Sequence, residues 1–416
     1  MRGQKVKQTG TFVLLIVSVV LLTACCRPQP TNPFVVTGPT SAVATPISVL
    51  PTSPLPTPTW TPIATPSPTS TGMPTPMSSA TPRPTPVSLC TTCNWECWNE
   101  GHTVSCPFDS SLLLNQMTFV SDTEAWAVGN DGHIARWDGL VWTRIDSPTD
   151  KNLNAVTFLA LDNGWIVGEG GQILHWDGNR WSVVRKFEEP LSISGSFLIW
   201  NAVGFSGPDD GWVVGYWSTE GGLSLDAMHW NGTIWEEPPT PPLFCESCAL
   251  SDVVAFSPQD VWVVGESSGG LTLHWDGVRW YTVSNPFVSP DFGRCWFYSI
   301  SVLSPDDIWV AGVWLGGREG LGHKGIVIHW NGAEWIDMQL PETGWVNSIL
   351  MLSEGDGWVG GEESLHWNGY GWERATKPTV DRIVDMEKSP NGEIWALTEY
   401  GAFLHLEVSE QTGGSE

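Results

Sequence analysis

The stretch LNAVTFLALDNGWIVGEGGQILHWDGNRWSVV, residues 153–184, contains four short apolar segments separated by turn residues. Its first segment, Leu153–Phe158, alternates apolar and polar residues at the period of two that is typical of a β-strand. The turn sequences Asp162-Asn163-Gly164, Gly170-Gly171 and Asp177-Gly178 separate the later segments. The stretch therefore predicts one antiparallel sheet of four short strands, in which the second, third and fourth strands carry a tryptophan.

The same unit recurs along the chain. Six copies of Trp-Asp/Asn-Gly-x-x-Trp, all with the same spacing, begin at Trp137, Trp176, Trp230, Trp275, Trp330 and Trp367. A second-strand tryptophan precedes each copy and occurs a seventh time near the C-terminus, at Trp126, Trp165, Trp212, Trp262, Trp309, Trp358 and Trp395. A large apolar residue stands twelve positions before each of these, at Leu114, Leu153, Trp200, Leu250, Phe297, Val346 and Ile383.

Four-stranded units that repeat at about 40–50 residues are typical of a β-propeller, whose blades stack face to face. We therefore predict an all-β, seven-bladed β-propeller of four-stranded blades, with the tryptophans packed between blades. The seventh copy lacks a fourth strand, because the chain ends soon after Phe403–Leu406. Residues His102–Phe108 match Tyr281–Phe287, the expected fourth strand of copy four. We expect this N-terminal strand to complete the last blade and remove its open edge.

Over residues 98–407 these repeats resemble the Asp-box (BNR-like) and photosystem II assembly-factor-like propellers. The resemblance rests on Val167-Gly-Glu-Gly-Gly-Gln-Ile173 followed by Asp177-Gly-Asn-Arg-Trp181, although His-Trp replaces the usual Thr or Ser before the Asp. It implies the propeller fold. It does not choose a function, because propellers carry many unrelated activities.

The N-terminus has the features of an export signal. Arg2, Lys5 and Lys7 precede the apolar run Phe12–Leu22, which is short for a membrane span. The run ends in Leu22-Thr-Ala-Cys25, which resembles a bacterial lipobox. We predict that residues 1–24 are a lipoprotein signal peptide and that lipidated Cys25 anchors the exported protein to the cell membrane, with the propeller outside the cytoplasm. The alternative is an ordinary cleaved signal peptide.

Composition divides the remaining chain. Residues 25–89 are rich in Pro, Thr and Ser and predict a disordered, semi-rigid linker. Residues 90–407 form the predicted propeller, and residues 408–416 a disordered tail. All 45 acidic residues lie in residues 90–416 with 14 Lys or Arg, a net charge of −31. This charge argues against nucleic acids and anionic lipid surfaces as partners.

The sequence contains no set of candidate catalytic groups that the predicted fold would bring together. Six histidines occupy one equivalent position in separate blades, at His175, His229, His274, His329, His366 and His405. They are spread around a ring, so we expect one hydrogen-bonded histidine per blade and no metal site or cofactor. A sialidase-like glycoside hydrolase is the alternative, but the expected arginine cluster is missing, as are a Gly-x-Ser-x-Gly elbow and a phosphate-binding loop. We expect a non-enzyme.

The seven cysteines beyond the signal region predict disulfides in an exported protein. They are Cys90, Cys93, Cys97, Cys106, Cys245, Cys248 and Cys295. Connections on either side of the fourth blade carry the last three, so we expect Cys295 to pair with Cys245 or Cys248. The four N-terminal cysteines would then pair among themselves.

Loop lengths point to one face of the propeller as the binding surface. The second-to-third-strand loops and the connections between blades are long and emerge on one face, here called the long-loop face, whereas the other turns are tight. Binding residues accumulate on such loops. The candidate ligand-surface residues there are Trp217, Phe292, Arg294, Trp296, Trp314 and Trp345. The alternative for each aromatic residue is that it folds back onto the scaffold.

These features predict a non-catalytic binding or assembly module for a protein or a glycan, with a glycan-cleaving hydrolase and a chaperone-like assembly factor as alternatives. The sequence does not indicate the identity of the ligand, the biological process or the oligomeric state.

Overall fold

A computed structural model describes residues 93–99, 102–104, 113–186, 196–219, 222–238, 248–288, 293–316 and 322–408. The predicted signal peptide, Cys25, the linker and all of the predicted C-terminal tail except Val408 therefore lie outside the described residues, as does Phe292. The described residues form antiparallel β-strands and one short 3-10 turn, Asn130–Gly132. Among them, none forms a helix that is long and apolar enough to cross a membrane.

The strands follow the repeats of the sequence, which we number 1 to 7. Two strands precede the repeats: β1 (Cys93–Asn99) and β2 (His102–Val104). Repeat 1 contains β3 (Leu114–Ser121), β4 (Glu124–Gly129), β5 (Ile134–Trp137) and β6 (Trp142–Ile145). Repeat 2 contains β7 (Leu153–Ala160), β8 (Asn163–Gly168), β9 (Ile173–Trp176) and β10 (Trp181–Arg185). Repeat 3 contains β11 (Phe197–Gly207), β12 (Asp210–Thr219), β13 (Gly222–Trp230) and β14 (Trp235–Glu236).

The remaining repeats have the same order. Repeat 4 contains β15 (Ala249–Ser257), β16 (Asp260–Ser267), β17 (Leu271–Trp275) and β18 (Trp280–Thr282). Repeat 5 contains β19 (Arg294–Ser304), β20 (Asp307–Leu315), β21 (His323–Trp330) and β22 (Trp335–Asp337). Repeat 6 contains β23 (Val346–Ser353), β24 (Asp356–Gly361), β25 (Ser364–Trp367) and β26 (Trp372–Ala375). Repeat 7 contains β27 (Ile383–Lys388), β28 (Ile394–Thr398) and β29 (Phe403–Val408).

Each repeat is an antiparallel meander in which consecutive strands pair. Repeats 4 and 5 are also joined edge to edge, because Glu266 and Ser267 of β16 pair with Trp296 and Cys295 of β19. The two repeats therefore share one eight-stranded sheet.

The N-terminal strands extend repeat 7, but not with the expected residues. β1 pairs with β29 from Cys93 opposite Val408 to Cys97 opposite Leu404. β2, which begins at His102, pairs with β1 instead and lies one strand further out. The position next to β29 thus belongs to Cys93–Asn99 and not to the predicted His102–Phe108. The seven-residue strand forms the longer ladder with β29, which favours it at that position.

A shared irregularity explains the spacing of the repeat. Each first strand shifts register directly after its large apolar residue, as at Phe297 in β19, where a β-bulge interrupts the ladder. In repeats 1 to 6 that residue is paired with the glycine three positions after the second-strand tryptophan, as in Phe297 with Gly312. A Cβ atom on Gly312 would lie 2.0 Å from the carbonyl oxygen of Trp296. The repeated glycine is therefore required by close backbone approach. Repeat 7 has Thr398 at this position.

The core lies between neighbouring repeats. Trp126 of repeat 1 packs against Trp176 and Trp181 of repeat 2, with ring centroids 4.9 and 5.6 Å apart. The second-strand tryptophans of repeats 2, 3, 4 and 5 contact the paired tryptophans of the following repeat in the same way. Trp395 of repeat 7 contacts Trp137 of repeat 1 at 5.7 Å. The last repeat thus packs against the first as other repeats pack against their successors.

Candidate binding site at the channel mouth

The first strands of the repeats surround a central channel with a volume of about 420 Å³. Its lining comes from all seven first strands: Asn115–Thr118; Asn154, Val156 and Thr157; Asn201–Val203; Ser251–Val254; Tyr298–Val302; Asn347–Leu350; and Val384–Glu387. The acidic side chains in this lining are Asp252, Asp385 and Glu387. No Lys, Arg or His is among the described residues that line the channel.

Side chains of the first strands link neighbouring repeats around the channel. In repeats 1, 2 and 3 an asparagine Nδ2 donates to a backbone carbonyl of the next repeat: Asn115 to Leu153 at 2.8 Å, Asn154 to Trp200 at 2.8 Å and Asn201 to Leu250 at 2.6 Å. These asparagines directly follow the large apolar residue of each first strand. The β-bulge therefore orients their side chains across the boundary between repeats.

Three of the remaining boundaries use side-chain acceptors. Asp252 Oδ2 accepts a hydrogen bond from the Ile300 amide at 2.8 Å. Ser301 Oγ accepts one from the Met351 amide at 2.8 Å. Asp385 Oδ2 accepts one from the Met117 amide at 2.8 Å, which links repeat 7 to repeat 1. Two of the boundaries are therefore held by a titratable group.

Burial dominates the ionisation of the channel carboxyl groups. It raises the pKa of Asp252 to about 7 and that of Asp385 to about 6, although backbone amides that donate to both carboxyls oppose the rise. Burial also raises the pKa of Glu387 to about 8, and the charge of Asp385 adds to this rise. The channel thus favours neutral carboxylic acids over carboxylates.

An aromatic cluster lies at the end of the channel on the long-loop face. The ring centroid of Trp345 lies 5.7 Å from Trp296 and 6.1 Å from Tyr298, and His323 lies 5.7 Å from Trp345. The rings of Trp296, Tyr298 and Trp345 are partly exposed, whereas His323 is exposed. Together these four residues form the mouth cluster, which spans repeats 5 and 6. Partly exposed aromatic rings beside a channel are suited to contact a ligand.

Charged groups surround the mouth cluster. The Arg294 guanidinium lies 5.9 Å from the ring centroid of Trp296, and that of Arg382 lies 6.0 Å from Trp345. Arg382 is oriented by Glu399, with Nη2 3.0 Å from Oε2. Burial raises the pKa of Glu266, whereas nearby Arg294 lowers it. The mouth therefore offers aromatic faces together with both signs of charge.

The structure brings together three of the predicted ligand-surface residues: Arg294, Trp296 and Trp345. Trp217 and Trp314 lie elsewhere, because β12 and β20 extend further than the sequence predicted and include them as strand residues. Trp217 packs against the core shared by repeats 2 and 3, and Trp314 against the core shared by repeats 4 and 5. These two residues belong to the scaffold, which was the alternative stated for each aromatic residue.

Sequence reasoning missed Tyr298, His323 and Arg382. The signal for Tyr298 was available, because it directly follows the large apolar residue of repeat 5 and that position lines the channel in every repeat.

Each histidine at the repeated position forms a hydrogen bond or close contact within its own repeat. Their Nε2 atoms donate to a side chain that precedes the second-strand tryptophan by two residues: His175 to Asn163 (3.1 Å), His229 to Asp210 (2.8 Å), His274 to Asp260 (2.6 Å), His329 to Asp307 (2.8 Å) and His366 to Asp356 (2.8 Å). In repeat 7, His405 Nε2 lies 3.9 Å from Glu393. The described part of the chain contains no group of three His, Cys, Asp or Glu that could hold a metal ion.

The expected pairing of Cys295 with Cys245 or Cys248 is not found. Cys295 is a free thiol that is buried in the core between repeats 4 and 5. Burial raises the pKa of the Cys295 thiol to about 12. The thiol of Cys295 is enclosed because it packs against apolar side chains of both repeats, among them Val264 and Val310.

Of the other predicted disulfide residues, Cys248 takes part in a disulfide. Cys90, Cys106 and Cys245 lie outside the described residues, and Cys93 and Cys97 lie in β1.

Comparison with known proteins identifies the fold. No protein-family model matches the sequence, and no curated protein matches it. Solved structures do match. YCF48 from Cyanidioschyzon merolae is 15% identical with a TM-score of 0.53, over 75% of this chain and 98% of that chain. YCF48 bound to D1 peptide is 17% identical with a TM-score of 0.52, over 79% and 100%. Streptogramin B lyase is 11% identical with a TM-score of 0.53, over 78% and 100%. Together with the sheet topology, these similarities show that the chain has a β-propeller fold.

Proposed function

We propose that this chain is an exported, lipid-anchored, seven-bladed β-propeller that acts as a non-catalytic binding or assembly module, with a protein segment as the partner of its mouth cluster. The ring would be closed by the N-terminal strand β1 beside β29. A glycan is the alternative ligand, because flat aromatic rings also contact sugar faces.

The observation that carries this proposal is the mouth cluster itself. Trp296, Tyr298 and Trp345 lie on two neighbouring repeats at the open end of a channel, with Arg294 and Arg382 beside them. Tryptophan, tyrosine and arginine are the residues that dominate protein-binding surfaces. One structurally similar protein, YCF48, has been solved with a bound D1 peptide. That likeness supports a peptide-binding use of this fold without naming the partner.

Charge narrows the class of partner. The net charge of −31 on residues 90–416 repels polyanions over a long range. We therefore propose neutral or cationic protein segments as partners and not nucleic acids. No cofactor or metal enters this function.

Substitution at the mouth cluster tests the proposal. The full chain in detergent would be screened against peptide and glycan arrays made from exported and envelope components. Trp345→Ala should then weaken binding of a recovered ligand by tenfold or more, because truncating a central aromatic contact costs about 2 kcal/mol. Tyr370→Ala is the matched control, since Tyr370 is 84% exposed in the β25–β26 turn, away from the long-loop face. Equal loss of affinity in both variants, or in neither, would rule out this site.

A glycoside hydrolase remains the second candidate, because carboxyl groups with raised pKa values line the channel. Two acids in different ionisation states are what glycoside hydrolysis uses. However, Asp252 and Asp385 each already accept a backbone amide across a boundary between repeats. Hydrolysis of an arrayed glycan by the wild-type chain, lost in Glu387→Gln, would favour the hydrolase over the binding module.

A further inference from the structure

Two boundaries between repeats differ from the three that an asparagine joins. Asn115, Asn154 and Asn201 donate from neutral amides. At the boundary between repeats 4 and 5, and again between repeats 7 and 1, a carboxyl group accepts the bond, through Asp252 and Asp385. Asparagine, serine and glutamine could accept the same amide without a charge. The acid at these two positions therefore adds a titratable group to the innermost wall of the ring.

The surroundings of both carboxyls lack an opposite charge. The titratable side chains that line the channel are Asp252, Asp385, Glu387 and the Tyr298 phenol. The first strands β3, β7, β11 and β23 contribute no titratable group to the described lining. Beyond the lining, Glu266 and Arg382 act on Tyr298, and no cation acts on either aspartate. Ionisation therefore places like charges in one channel whose described lining holds no counter-charge.

We propose that Asp252 and Asp385 form a pH-sensitive latch across two boundaries of the ring, tight when the carboxyl groups are protonated and weakened when they ionise. A carboxylate accepts the amide hydrogen bond more strongly than a protonated carboxyl does, but the lining offers no cation to balance its charge, so ionisation costs more than the stronger bond returns. When both groups ionise, each boundary holds an uncompensated charge, and the charge of Asp385 also repels those of Asp252 and Glu387.

The latch lies beneath the mouth cluster. Ile300, which donates to Asp252, is two residues from Tyr298 in β19. Asp385 follows Arg382 by three residues. The strands that the latch holds are therefore the strands that position mouth residues. This placement would make the latch a means of adjusting the mouth, whatever ligand binds there.

The direction of the pH effect follows from the raised pKa values. Burial holds the pKa of Asp252 near 7 and that of Asp385 near 6, above the ordinary value of a free aspartate. Between the ordinary and the raised pKa the folded chain binds more protons than the unfolded chain. Stability therefore falls as the pH rises from about 4 to about 7.5. The net negative charge of the domain acts in the same direction, so the wild-type profile alone does not isolate the latch.

Thermal unfolding of the full chain in detergent at pH 5.5 and pH 8 tests the latch. Asp252→Asn and Asp385→Asn keep the shape and one acceptor oxygen of the protonated acid. Each substitution should reduce the Tm difference between the two pH values by at least about 3 °C, and the double variant by more, because one kcal/mol shifts the Tm of a large domain by about 2–4 °C.

Two controls separate the latch from general effects. Asp306→Asn removes one exposed carboxylate from the surface and should leave the Tm difference as in the wild type. Ser301→Ala removes a non-titrating bond across a boundary and should lower the Tm equally at both pH values. The latch is refuted if Asp252→Asn and Asp385→Asn retain the full wild-type difference, or if Asp306→Asn reduces it as much. No ligand is used, so the result is independent of the binding function.

Discussion

At the scale of single residues, the repeated unit is a tryptophan, a histidine and an acid that satisfy one another. In repeat 5 the His329 ring stacks on Trp309 with centroids 4.2 Å apart. Asp307 Oδ1 accepts from His329 Nε2 at 2.8 Å and from Trp309 Nε1 at 2.7 Å. Repeat 1 replaces the histidine by Arg136, which lies over Trp126 and pairs with Glu124 at 3.1 Å. The acid accepts from the histidine in repeats 3 to 6 and from the indole Nε1 of the second-strand tryptophan in repeats 1 and 5, so it is more than a turn residue.

Removal of one such acid tests this interpretation. Asp307→Ala leaves the donors of His329 and Trp309 without their acceptor, so we expect a loss of about 2–4 kcal/mol in the free energy of unfolding. Asp306→Ala is the matched control, because its neighbouring carboxylate is exposed and should cost less than about 0.5 kcal/mol. Denaturant unfolding followed by tryptophan fluorescence measures both. Similar costs in the two variants would show that Asp307 acts only in the turn.

At the scale of strands, the first strand of each repeat performs two tasks. Its large apolar residue fills the core between repeats, and the bulge after it orients the next side chains into the channel. Tyr298 of repeat 5 and Asn115 of repeat 1 occupy the same position after the apolar residue, yet one joins the mouth cluster and the other bonds to the next repeat. The repeat thus determines the backbone conformation, whereas the residue type after the bulge determines whether a side chain joins neighbouring repeats or lies in the mouth cluster.

The edge strand β1 provides a prediction at this scale. Deletion of residues 93–104 from the mature chain should leave the outer edge of β29 unpaired and lower the Tm by at least about 5 °C, because repeat 7 then has an open sheet edge. Deletion of residues 80–91 is the control and removes a segment of the same length before β1. Both chains would be compared by differential scanning calorimetry. An unchanged Tm after loss of β1 would mean that repeat 7 needs no N-terminal strand.

The strand scale also shows what could be read from sequence. The spacing from Phe297 to Trp309 to Gly312 predicted the first two strands because it reflects a fixed backbone pairing. The strand beside β29 was misplaced because the local match of His102–Phe108 to Tyr281–Phe287 says nothing about pairing, and β2, which begins at His102, pairs with β1 instead of β29. Trp314 was expected on a loop because strand length on the long-loop face depends on pairing with β21, which composition does not reveal.

At the scale of the whole molecule, packing between repeats stabilises the fold, whereas repulsion among the excess acidic residues opposes it. The core between repeats is apolar and aromatic, whereas the acidic residues give residues 90–416 a net charge of −31. Two basic groups lie at the mouth, where Arg294 and Arg382 lie over the rings of Trp296 and Trp345. The mouth of this acidic domain therefore offers cations beside aromatic rings, which favours it as the surface that meets a partner.

The predicted lipid anchor would set where this surface meets its partner. Leu22-Thr-Ala-Cys25 predicts that Cys25 carries the lipid, and residues 25–89 then separate the propeller from the membrane. Cys25→Ala should abolish labelling by a fatty-acid analogue and move the protein from the membrane to the soluble fraction, because a single lipid-modified residue supplies the anchor. Cys26→Ala is the matched control, since it removes the neighbouring thiol and should leave labelling and fractionation unchanged. Membrane association that persists in Cys25→Ala would contradict the lipid anchor. The apolar run Phe12–Leu22 or a partner would then hold the protein at the membrane, and residues 25–89 would not act as the spacer between a lipid and the propeller.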